Sequence, residues 1–421
     1  MAEGMLMPTT SAQVSGHKFL VRRIEHGLVM GDVRMIHDPL SRRRRALIFG
    51  AVACVMLAVG SLALAIFRPA MDPADAPLIR SESGALFVQL DGVVHPVANM
   101  ASARLILGEP VEPVNASDVI ITEMPRGVPM GLPDAPGIFS TPTDEEPERD
   151  WFVCQDVGTG DLHVVVTRDG LGPTLIAEGN GWLGASKSEN GEVSWHLITA
   201  DGRRELPAWD SPHGRIMRRY LGISDHTPRI YLTTELLNAI PERSAIAFPN
   251  PLPELVDAFP RSWLRADGAL AEITLLQRAV LIDAGSSVFS DPTAVLGLHP
   301  DIDASLQLPA DTVAWQDLSG GFACADGEGQ MGFLETLESG VELSGDSRAK
   351  SFSTHTGGAV GVDSGFGYYV VSDVGLTHAV SSGEEMVALG LMDVDVVPWS
   401  VLRLLPQGSE LSRKTALAPA Y

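Results

Sequence analysis

ALIFGAVACVMLAVGSLALAIF, residues 46–67, decides how this chain is organised. The run contains no charged residue, and as a helix rising about 1.5 Å per residue it is about 33 Å long. A helix of that length crosses a hydrocarbon core of about 30 Å. The sequence therefore predicts one transmembrane helix that separates a short N-terminal head from a large body.

The residues directly before the apolar run predict its orientation. All four are basic: Arg42, Arg43, Arg44 and Arg45. Short basic flanks stay on the cytoplasmic side of a membrane, so we expect a cytoplasmic head and an extracytoplasmic body. A signal peptide is the competing interpretation, but this run is longer than a signal core and 45 residues precede it. A buried core helix would show a polar stripe, and the run has none.

The distribution of charge agrees with this division. The first 45 residues carry eight basic and four acidic residues, whereas the rest of the chain carries 22 and 49. A basic head suits the anionic inner leaflet of a membrane. The strongly acidic body argues against nucleic acid or an external lipid surface as a partner.

Two of the three cysteines predict a disulfide. Cys154 and Cys324 fall in the body, where disulfides persist, and each lies in a strand-like segment, WFVCQDV or GFACADG. The closed loop is long, which in the chain-entropy model stabilises the fold by roughly 4–5 kcal/mol. A metal or redox pair is disfavoured because there is no CxxC motif and no neighbouring histidine cluster. Cys54 lies inside the apolar run, where we expect an inert thiol.

A landmark pattern recurs three times in the body, in stretches that begin at residues 85, 193 and 368. Each has an apolar strand, a turn, a short second strand, a short helix ending in Leu-Gly, and an apolar segment stopped by proline. The turns contain Gly92, Gly202 and Gly375, the helices end at Gly108, Gly222 and Gly390, and the stops are Pro125, Pro241 and Pro406. Glycine closes helices in the left-handed conformation, and proline cannot continue them. Units of about 45 residues must pack on one another or on a shared core.

Segments between these stretches predict a discontinuous β-rich core. WFVCQDVGTGDLHVVVTRDG alternates apolar and polar residues like a hairpin, and SGGFACADGEGQMGFLETLESGVEL is its expected partner. The predicted class is α+β, with one N-terminal transmembrane helix followed by small βα repeats around this core. In chain order the predicted segments are the head (1–45), membrane helix (46–67), linker (68–80), first repeat (81–135), connector and first part of the core (136–192), second repeat (193–247), degenerate repeat (248–310), second part of the core (311–365), last repeat (366–411) and tail (412–421).

The head contains one amphipathic segment, residues 13–30. Five of its apolar residues recur at helical spacing: Phe19, Leu20, Ile24, Leu28 and Val29. Arg22 and Arg23 lie elsewhere on the helical wheel, and Ser15 is a candidate N-cap. Composition alone favours a helix lying on the lipid surface; docking on a cytoplasmic partner is the alternative.

The order of these features resembles a known family. SGHKFLVRRIEHGLVMGDVRMIHDPLSRRRRA, one membrane helix and then SGALFVQLDGVVHPVANMASARLILGEP are similar to EccB, a membrane component of the actinobacterial type VII (ESX) secretion system. PRGVPMGLPDAPG, the cysteine pair and WSVLRLLPQG also match. The resemblance spans nearly the whole chain and departs at residues 248–310, where the family has a clearer repeat.

This resemblance implies a structural and assembly subunit of the bacterial inner membrane, with no cofactor. Its head would join a cytoplasmic assembly with EccC, EccD and EccE. Its elongated periplasmic body would pair with a second copy, and the mycosin protease MycP would associate on that side. The resemblance also moves the expectation for the head from lipid toward partner docking.

Two other functional classes stay open at this stage. Members of the family are sometimes labelled ATPases, yet the chain has no Gly-Lys pair and therefore no phosphate-binding GxxxxGK[ST] loop. Tandem small repeats can also grip polymers, which makes a cell-wall-binding module the second alternative.

No residue pattern indicates hydrolase or metal chemistry. His95 and His378 occupy matching places in two repeats, but the middle repeat has Glu205 there, so we expect structural roles. GxSxG and HExxH are absent. Asp301 and Asp303 lack the spacing of a calcium loop, and the acidic run at 144–146 reads as solvated.

Overall fold

The computed structural model describes the chain at residues 10–31, 33–34, 39–66, 71–140, 149–168, 172–188, 190–258, 260–266, 269–290 and 305–420. The chain divides into two units, Met1–Met71 and Asp72–Tyr421. The first unit contains two helices, and every described strand belongs to the second.

Helix α1 of the first unit spans Ser11–Met30 and begins at a reciprocal cap. Thr10 Oγ1 accepts from the backbone N–H of Gln13, and Gln13 Oε1 accepts from the backbone N–H of Thr10. This capping box satisfies two donors at the helix start. The prediction of Ser15 as the N-cap is therefore wrong, because Thr10 with Gln13 supplies both halves of the box. Gly31, in the left-handed conformation, ends the helix.

Helix α2 spans Pro39–Ile66 and contains the apolar run. Its segment Arg45–Leu64 has a mean hydropathy of 2.5 and no residue buried inside the protein. Within the described residues, it is the one helix long and apolar enough to cross a membrane. It begins earlier than the predicted residue 46, since proline is tolerated at a first helical position and arginine is a good helix former. Phe67, the last residue of the predicted span, lies outside the described residues.

The helices of the second unit are α3 (Met100–Leu107), α4 (Asp118–Glu123), α5 (Pro212–Tyr220), α6 (Thr234–Ala239), α7 (Leu275–Ala284), α8 (Gly383–Leu389), α9 (Trp399–Leu402) and α10 (Arg413–Ala416). Its first twelve strands are β1 (Leu78–Ser81), β2 (Leu86–Leu90), β3 (Val93–Val97), β4 (Val114–Ala116), β5 (Arg149–Asp156), β6 (Leu162–Arg168), β7 (Thr174–Leu175), β8 (Asn180–Lys187), β9 (Val193–Thr199), β10 (Gly202–Glu205), β11 (Arg229–Leu232) and β12 (Glu254–Ala258). The other twelve are β13 (Arg261–Ala266), β14 (Ala269–Ile273), β15 (Val288–Ser290), β16 (Ala314–Trp315), β17 (Phe322–Ala325), β18 (Met331–Leu334), β19 (Val341–Glu342), β20 (Ser351–Ser353), β21 (Val360–Asp363), β22 (Tyr368–Val371), β23 (Thr377–Val380) and β24 (Asp395–Val396).

Four sheets of the second unit share one strand order. They are sheet A (β3-β2-β1-β4), sheet B (β10-β9-β8-β11, with β16 also paired to β8), sheet C (β14-β13-β12-β15) and sheet D (β23-β22-β21-β24). In each, three antiparallel strands are followed by a helix and then by a strand that runs parallel to the first. The parallel strand lies at one edge of its sheet.

The sheet bounds differ from the predicted segments in two respects. Each of sheets A, B and D begins with a strand, β1, β8 or β21, that precedes the predicted start of its repeat. The sequence prediction assigns β8 and β21 to the core segments, although each forms a hairpin with the next strand. The region at 248–310, expected to be degenerate, contains sheet C with the strand order of the other three.

Glycines end the helices of sheets A, B and D as the sequence predicts. Gly108 and Gly390 are C-caps in the left-handed conformation, with φ of 79° and 82°. Gly222, just beyond α5, has φ of 67°. The left-handed conformation has a steric cost for residues with a Cβ, and glycine avoids it. The Leu-Gly pairs therefore mark the ends of these helices.

The sheets pack in two pairs. Sheets A and D share one apolar cluster, with α3 lying against α8 and α10, and sheets B and C share another, with α5 against α7. Leu105 and Leu389 are buried in the first cluster, and Met217 and Leu281 in the second. Burial of such side chains contributes about 25 cal/mol per Å² of apolar surface, so the packing of two sheets removes from water apolar surface that either sheet alone would expose.

The remaining seven strands form one sheet, called the central sheet, in the order β19-β20-β6-β5-β17-β18-β7. Its strands come from the chain between sheets A and B and between sheets C and D. Strands β5 and β6 form the predicted hairpin, and β17 with β18 adds to its other edge, as expected. One face of β5 carries Trp151 and Val153, which pack with residues of α6 and α9 in the largest apolar cluster.

Candidate assembly surfaces

Helix α1 exposes the apolar residues that the sequence singled out. Phe19, Leu20, Ile24 and Leu28 are 53%, 56%, 62% and 82% exposed. Leu20, Ile24 and Leu28 are spaced by four residues and line one stripe of the helix. At 100° per residue, Phe19 lies about 140° around the helix from Ile24, beside Arg22 and Arg23. The stripe therefore consists of Leu20, Ile24 and Leu28, and Phe19 projects to a different side of the helix.

The chain folds back beside this stripe after α1 ends. Arg23 Nε donates to the carbonyl oxygen of Val33 at 3.1 Å, and a Cβ placed on Gly27 would stand 2.9 Å from Val33 Cγ1. Glycine at 27 thus permits the close approach of Val33. Ile24 and Leu28 stay exposed, so an apolar stripe is open on the first unit.

The four arginines lie within α2, not before it. Helix α2 starts at Pro39, so the residues 42–45 belong to its first two turns. The side chains of Arg42, Arg43 and Arg44 lie outside the described residues, and Arg45 is exposed. A basic start of an apolar helix is the arrangement that the positive-inside rule concerns.

The predicted disulfide joins the middle strand of the central sheet, β5, to its neighbour β17. Cys154 on β5 stands directly opposite Cys324 on β17, and the two form a disulfide across 170 residues of sequence. Both residues are fully buried, next to Phe152 and Val165 on one face of the sheet. The bridge thus joins two strands that come from distant parts of the chain.

Gln155, the neighbour of Cys154, points to the opposite face of β5 and binds sheet B. It is 1% exposed. Its Nε2 donates to the carbonyl oxygen of Tyr231 at 2.6 Å, and its Oε1 accepts from the backbone N–H and the hydroxyl of Thr233 at 2.8 and 2.9 Å. The buried amide therefore has partners at both ends, as a buried polar group requires. Sequence analysis missed this residue, although its position two after Val153 on an apolar face was a signal.

The opposite end of β5 binds sheet D through an ion pair. Arg149 Nε and Nη2 donate to the Asp395 carboxylate at 3.0 Å each, and Trp151 Nε1 donates to Asp395 Oδ2 at 2.9 Å. The side chains of Arg149 and Asp395 are 10% and 12% exposed. A two-point arginine–carboxylate pair is directional as well as strong, so it fixes β24 against β5. Nothing in the sequence marked these residues, which lie far apart along the chain.

The two histidines that the sequence raised as candidates pack as structural residues. His378 is fully buried, and its Nδ1 lies 2.8 Å from the carbonyl oxygen of Ser409. His95 Nδ1 lies 3.1 Å from the carbonyl oxygen of Val128. A Cβ on Gly127 or Gly408 would collide with the His95 or His378 ring. Each ring thus fills the space above a glycine.

The described residues contain no group of three or more His, Cys, Asp and Glu that could hold a metal ion. Asp301, Asp303 and the acidic run at 144–146 lie outside them. What the described geometry provides is an open apolar stripe, an apolar helix long enough to span a membrane, and sheets tied to a cross-linked core.

Comparison with known proteins identifies the family. The family described as "Type VII secretion system ESX-1, transport TM domain B", which is EccB, matches residues 6–254 and 346–420, most of the chain. The chain belongs to this family. The match bears out the resemblance seen in the head and the first sheet. The match leaves out residues 255–345. This region contains all of sheet C except Glu254, together with strands β16 to β19.

Two curated EccB relatives come from Mycobacterium tuberculosis (strain CDC 1551 / Oshkosh). The chain is 27% identical to "ESX-1 secretion system ATPase EccB1" over 469 residues, covering 97% of this chain and 94% of the relative. It is 28% identical to "ESX-3 secretion system ATPase EccB3" over 491 residues, covering 97% and 89%. The likeness to EccB proteins therefore extends over nearly the full length of both.

Solved EccB structures share the fold. A chain from "Structure of an intact ESX-5 inner membrane complex" has a TM-score of 0.66 at 24% identity, covering 100% of this chain and 97% of that one. A chain from "Structure of EccB3 dimer from the ESX-3 core complex" has a TM-score of 0.65 at 22% identity, covering 81% and 100%. The arrangement of sheets described above is thus an EccB fold.

Proposed function

We propose that this chain is a structural subunit of a type VII (ESX) secretion membrane complex, which supports protein export across the inner membrane. The observation that carries this function is the family match over both units, since it includes the head, the membrane helix and the first two sheets. The solved relatives come from an ESX inner membrane complex and from an EccB dimer. A scaffold role also agrees with a body tied together by a disulfide, a buried amide and an ion pair.

In this proposal the helix α2 crosses the inner membrane once, with the head in the cytoplasm. The basic residues 42–45 at its start support that orientation, because short basic flanks stay inside. The disulfide supports an extracytoplasmic body, since disulfides persist outside the reducing cytoplasm. The four sheets of equal strand order act as four copies of one building unit around the central sheet.

The stripe Leu20, Ile24 and Leu28 is the proposed docking element of the head. It is apolar, exposed and on a well-capped helix, which is how helices dock into grooves of partner proteins. The expected partners are EccC-, EccD- and EccE-like subunits, a second copy of this chain, and a MycP-like protease on the periplasmic side.

The test is an affinity purification of the tagged chain from native membranes in mild detergent, at normal expression. We expect the other membrane subunits to co-purify in constant proportion. Purification of the chain alone would overturn the proposal. ATP hydrolysis is measured on the same samples: turnover that rises with purity would favour the ATPase alternative over a purely structural subunit. The cell-wall alternative is tested by incubating the chain with isolated peptidoglycan and sedimenting the mixture. Recovery of the chain in the pellet would favour that alternative.

A further inference from the structure

Helices α6 and α9 hold equivalent places in sheets B and D. Each follows the parallel edge strand of its sheet and precedes a stop, Pro241 or Pro406. Their N-caps, Thr233 and Pro398, lie the same number of residues before those prolines. Both helices pack against the same face of β5 in the largest apolar cluster. Sheets B and D are therefore attached to the central sheet in the same way.

The polar contacts at these two attachments differ in chemistry. Sheet B is held by the neutral Gln155 amide, with all three hydrogen bonds to Tyr231 and Thr233. Sheet D is held by the Arg149–Asp395 ion pair and by Trp151. Removing one partner of a buried neutral network or of a buried ion pair is destabilising, because the groups left behind lose their hydrogen-bond partners.

The two attachments are also far apart. Residues 149 and 155 stand at opposite ends of β5, and six residues of extended chain span about 20 Å. Interactions separated by more than about 7–10 Å, with no shared partner, act additively. Sheet B shares one apolar cluster with sheet C, and sheet D shares another with sheet A, while residues of both B and D also lie in the cluster on β5.

We infer that β5 carries two separate anchors, Gln155 for the pair of sheets B and C, and Arg149 with Trp151 for the pair of sheets D and A. Each anchor holds its own pair to the central sheet independently of the other. Gln155 and Asp395 are thus positioning residues of the scaffold, and the inference rests on the proposed scaffold role.

Two direct routes could couple the anchors. One is apolar, because α6 and α9 contact each other in the apolar cluster that they share on β5. The other is polar. Arg348 Nη1 contacts Glu235 Oε1 of α6 at 3.1 Å, while the backbone N–H of Arg348 donates to the carbonyl oxygen of Leu404 just after α9. The arginine side chain is 71% exposed, and exposed pairs of this kind are weak. Arg348→Ala removes this contact and so measures how far it couples the two anchors.

The test is hydrogen exchange on the full chain in detergent, read by mass spectrometry at residues 229–240 and 395–405. Asp395→Asn is expected to speed exchange about ten- to hundredfold at 395–405 and to leave 229–240 unchanged. Gln155→Leu is expected to do the reverse. Asp257→Asn, which removes the ion pair between sheet C and Arg278 of α7, is the matched control and should change neither segment. Arg348→Ala should also leave both segments unchanged.

Equal acceleration of both segments by either substitution would overturn the inference, and so would no acceleration by both. Gln155→Met, which keeps the length of the side chain without its amide, and Arg149→Lys, which keeps the charge without the two-point contact, repeat the test in case a first variant unfolds. Because exchange is measured on the purified chain alone, its outcome does not depend on partners. Loss of co-purifying subunits would count against the proposed function and leave the anchors standing.

Discussion

Cys154 and Cys324 face each other across β5 and β17, and the disulfide between them joins strands from distant parts of the chain. The bridge limits the unfolded chain more than the folded one, because it closes a loop of about 170 residues. It is buried at the centre of the sheet to which sheets B and D attach.

Replacing both bridged cysteines by alanine should lower the free energy of unfolding by roughly 2–5 kcal/mol. Denaturant unfolding of the purified chain, with and without a reductant, measures the change. Cys54→Ser is the matched control, since Cys54 is a free, exposed cysteine of α2. Equal midpoints for the double variant and the parent would contradict the assigned role of the bridge.

Substituting the apolar stripe of α1 tests the docking element. Ile24→Ser combined with Leu28→Ser should reduce the co-purifying cytoplasmic subunits at least about tenfold, because docked apolar side chains contribute on the order of 1.5–3 kcal/mol each. Phe19→Ser is the matched control, since Phe19 projects to a different side of the helix. Retention of all subunits by the double variant would favour the lipid-surface alternative.

Single cysteines should report the orientation of the chain. In a Cys54→Ser background, Glu82→Cys in the body should react with a membrane-impermeant maleimide added to spheroplasts, since Glu82 is exposed. Gln13→Cys in the head should react only after the membrane is opened. Labelling of Gln13→Cys in sealed spheroplasts would contradict a cytoplasmic head.

Acid should weaken sheet C through one carboxylate. Side-chain hydrogen bonds from Arg278 hold the pKa of Asp257 below its ordinary value of 3.8, with Ser262 adding to the effect. A depressed native pKa stabilises the fold fully above 3.8, and the contribution is lost as the pH falls through the lowered value. Asp257→Asn should therefore lower the unfolding midpoint at neutral pH and make no difference in strong acid.

The neighbouring pair of the same sheet provides the comparison. Glu254 and Arg265 are half-exposed and 3.4 Å apart, so Glu254→Gln should change stability by less than about 1 kcal/mol at any pH. An equal loss from both substitutions would show that the hydrogen bonds of Asp257 add nothing beyond a surface charge.

Glycine 408 should not tolerate a methyl group. Gly408→Ala would drive a Cβ into the His378 ring, and overpacking of this kind costs about 1–3 kcal/mol. Gly357→Ala is the control, because a Cβ there would contact nothing within 4 Å. Thermal unfolding of the two variants compares them; equal melting temperatures would contradict the packing of His378 on Gly408.

Local chemistry made several elements predictable. The hairpin of β5 and β6 alternates apolar and polar residues, and its strands are neighbours in sequence. Gly108 and Gly390 end helices because their backbone conformation is left-handed. The cysteine pair could be anticipated since both residues lie in apolar strands of a body assigned to an oxidising compartment.

Pairings between distant segments were beyond local pattern. The hairpins β8–β9 and β21–β22 turn at Gly191 and Gly365, but the predicted repeats begin only at the second strand of each hairpin. The parallel partners of β8 and β21 follow a whole helix later. Gln155 and Thr233 lie 78 residues apart, and Arg149 and Asp395 lie 246 apart. A polar residue in a strand can face water or bind a buried partner, and the local sequence is the same in both cases.

The sequence by itself determined that this chain has one apolar helix behind a basic start, an acidic body, and turn and helix stops at particular glycines and prolines. Those features depend on hydrophobicity, charge and backbone conformation, which are local properties. Only the tertiary structure decided that sheet A pairs with D and sheet B with C, and that β5 holds both pairs through Gln155 and Arg149. Those contacts arise from burial of surfaces that no single segment can cover, so they exist only once the chain has folded.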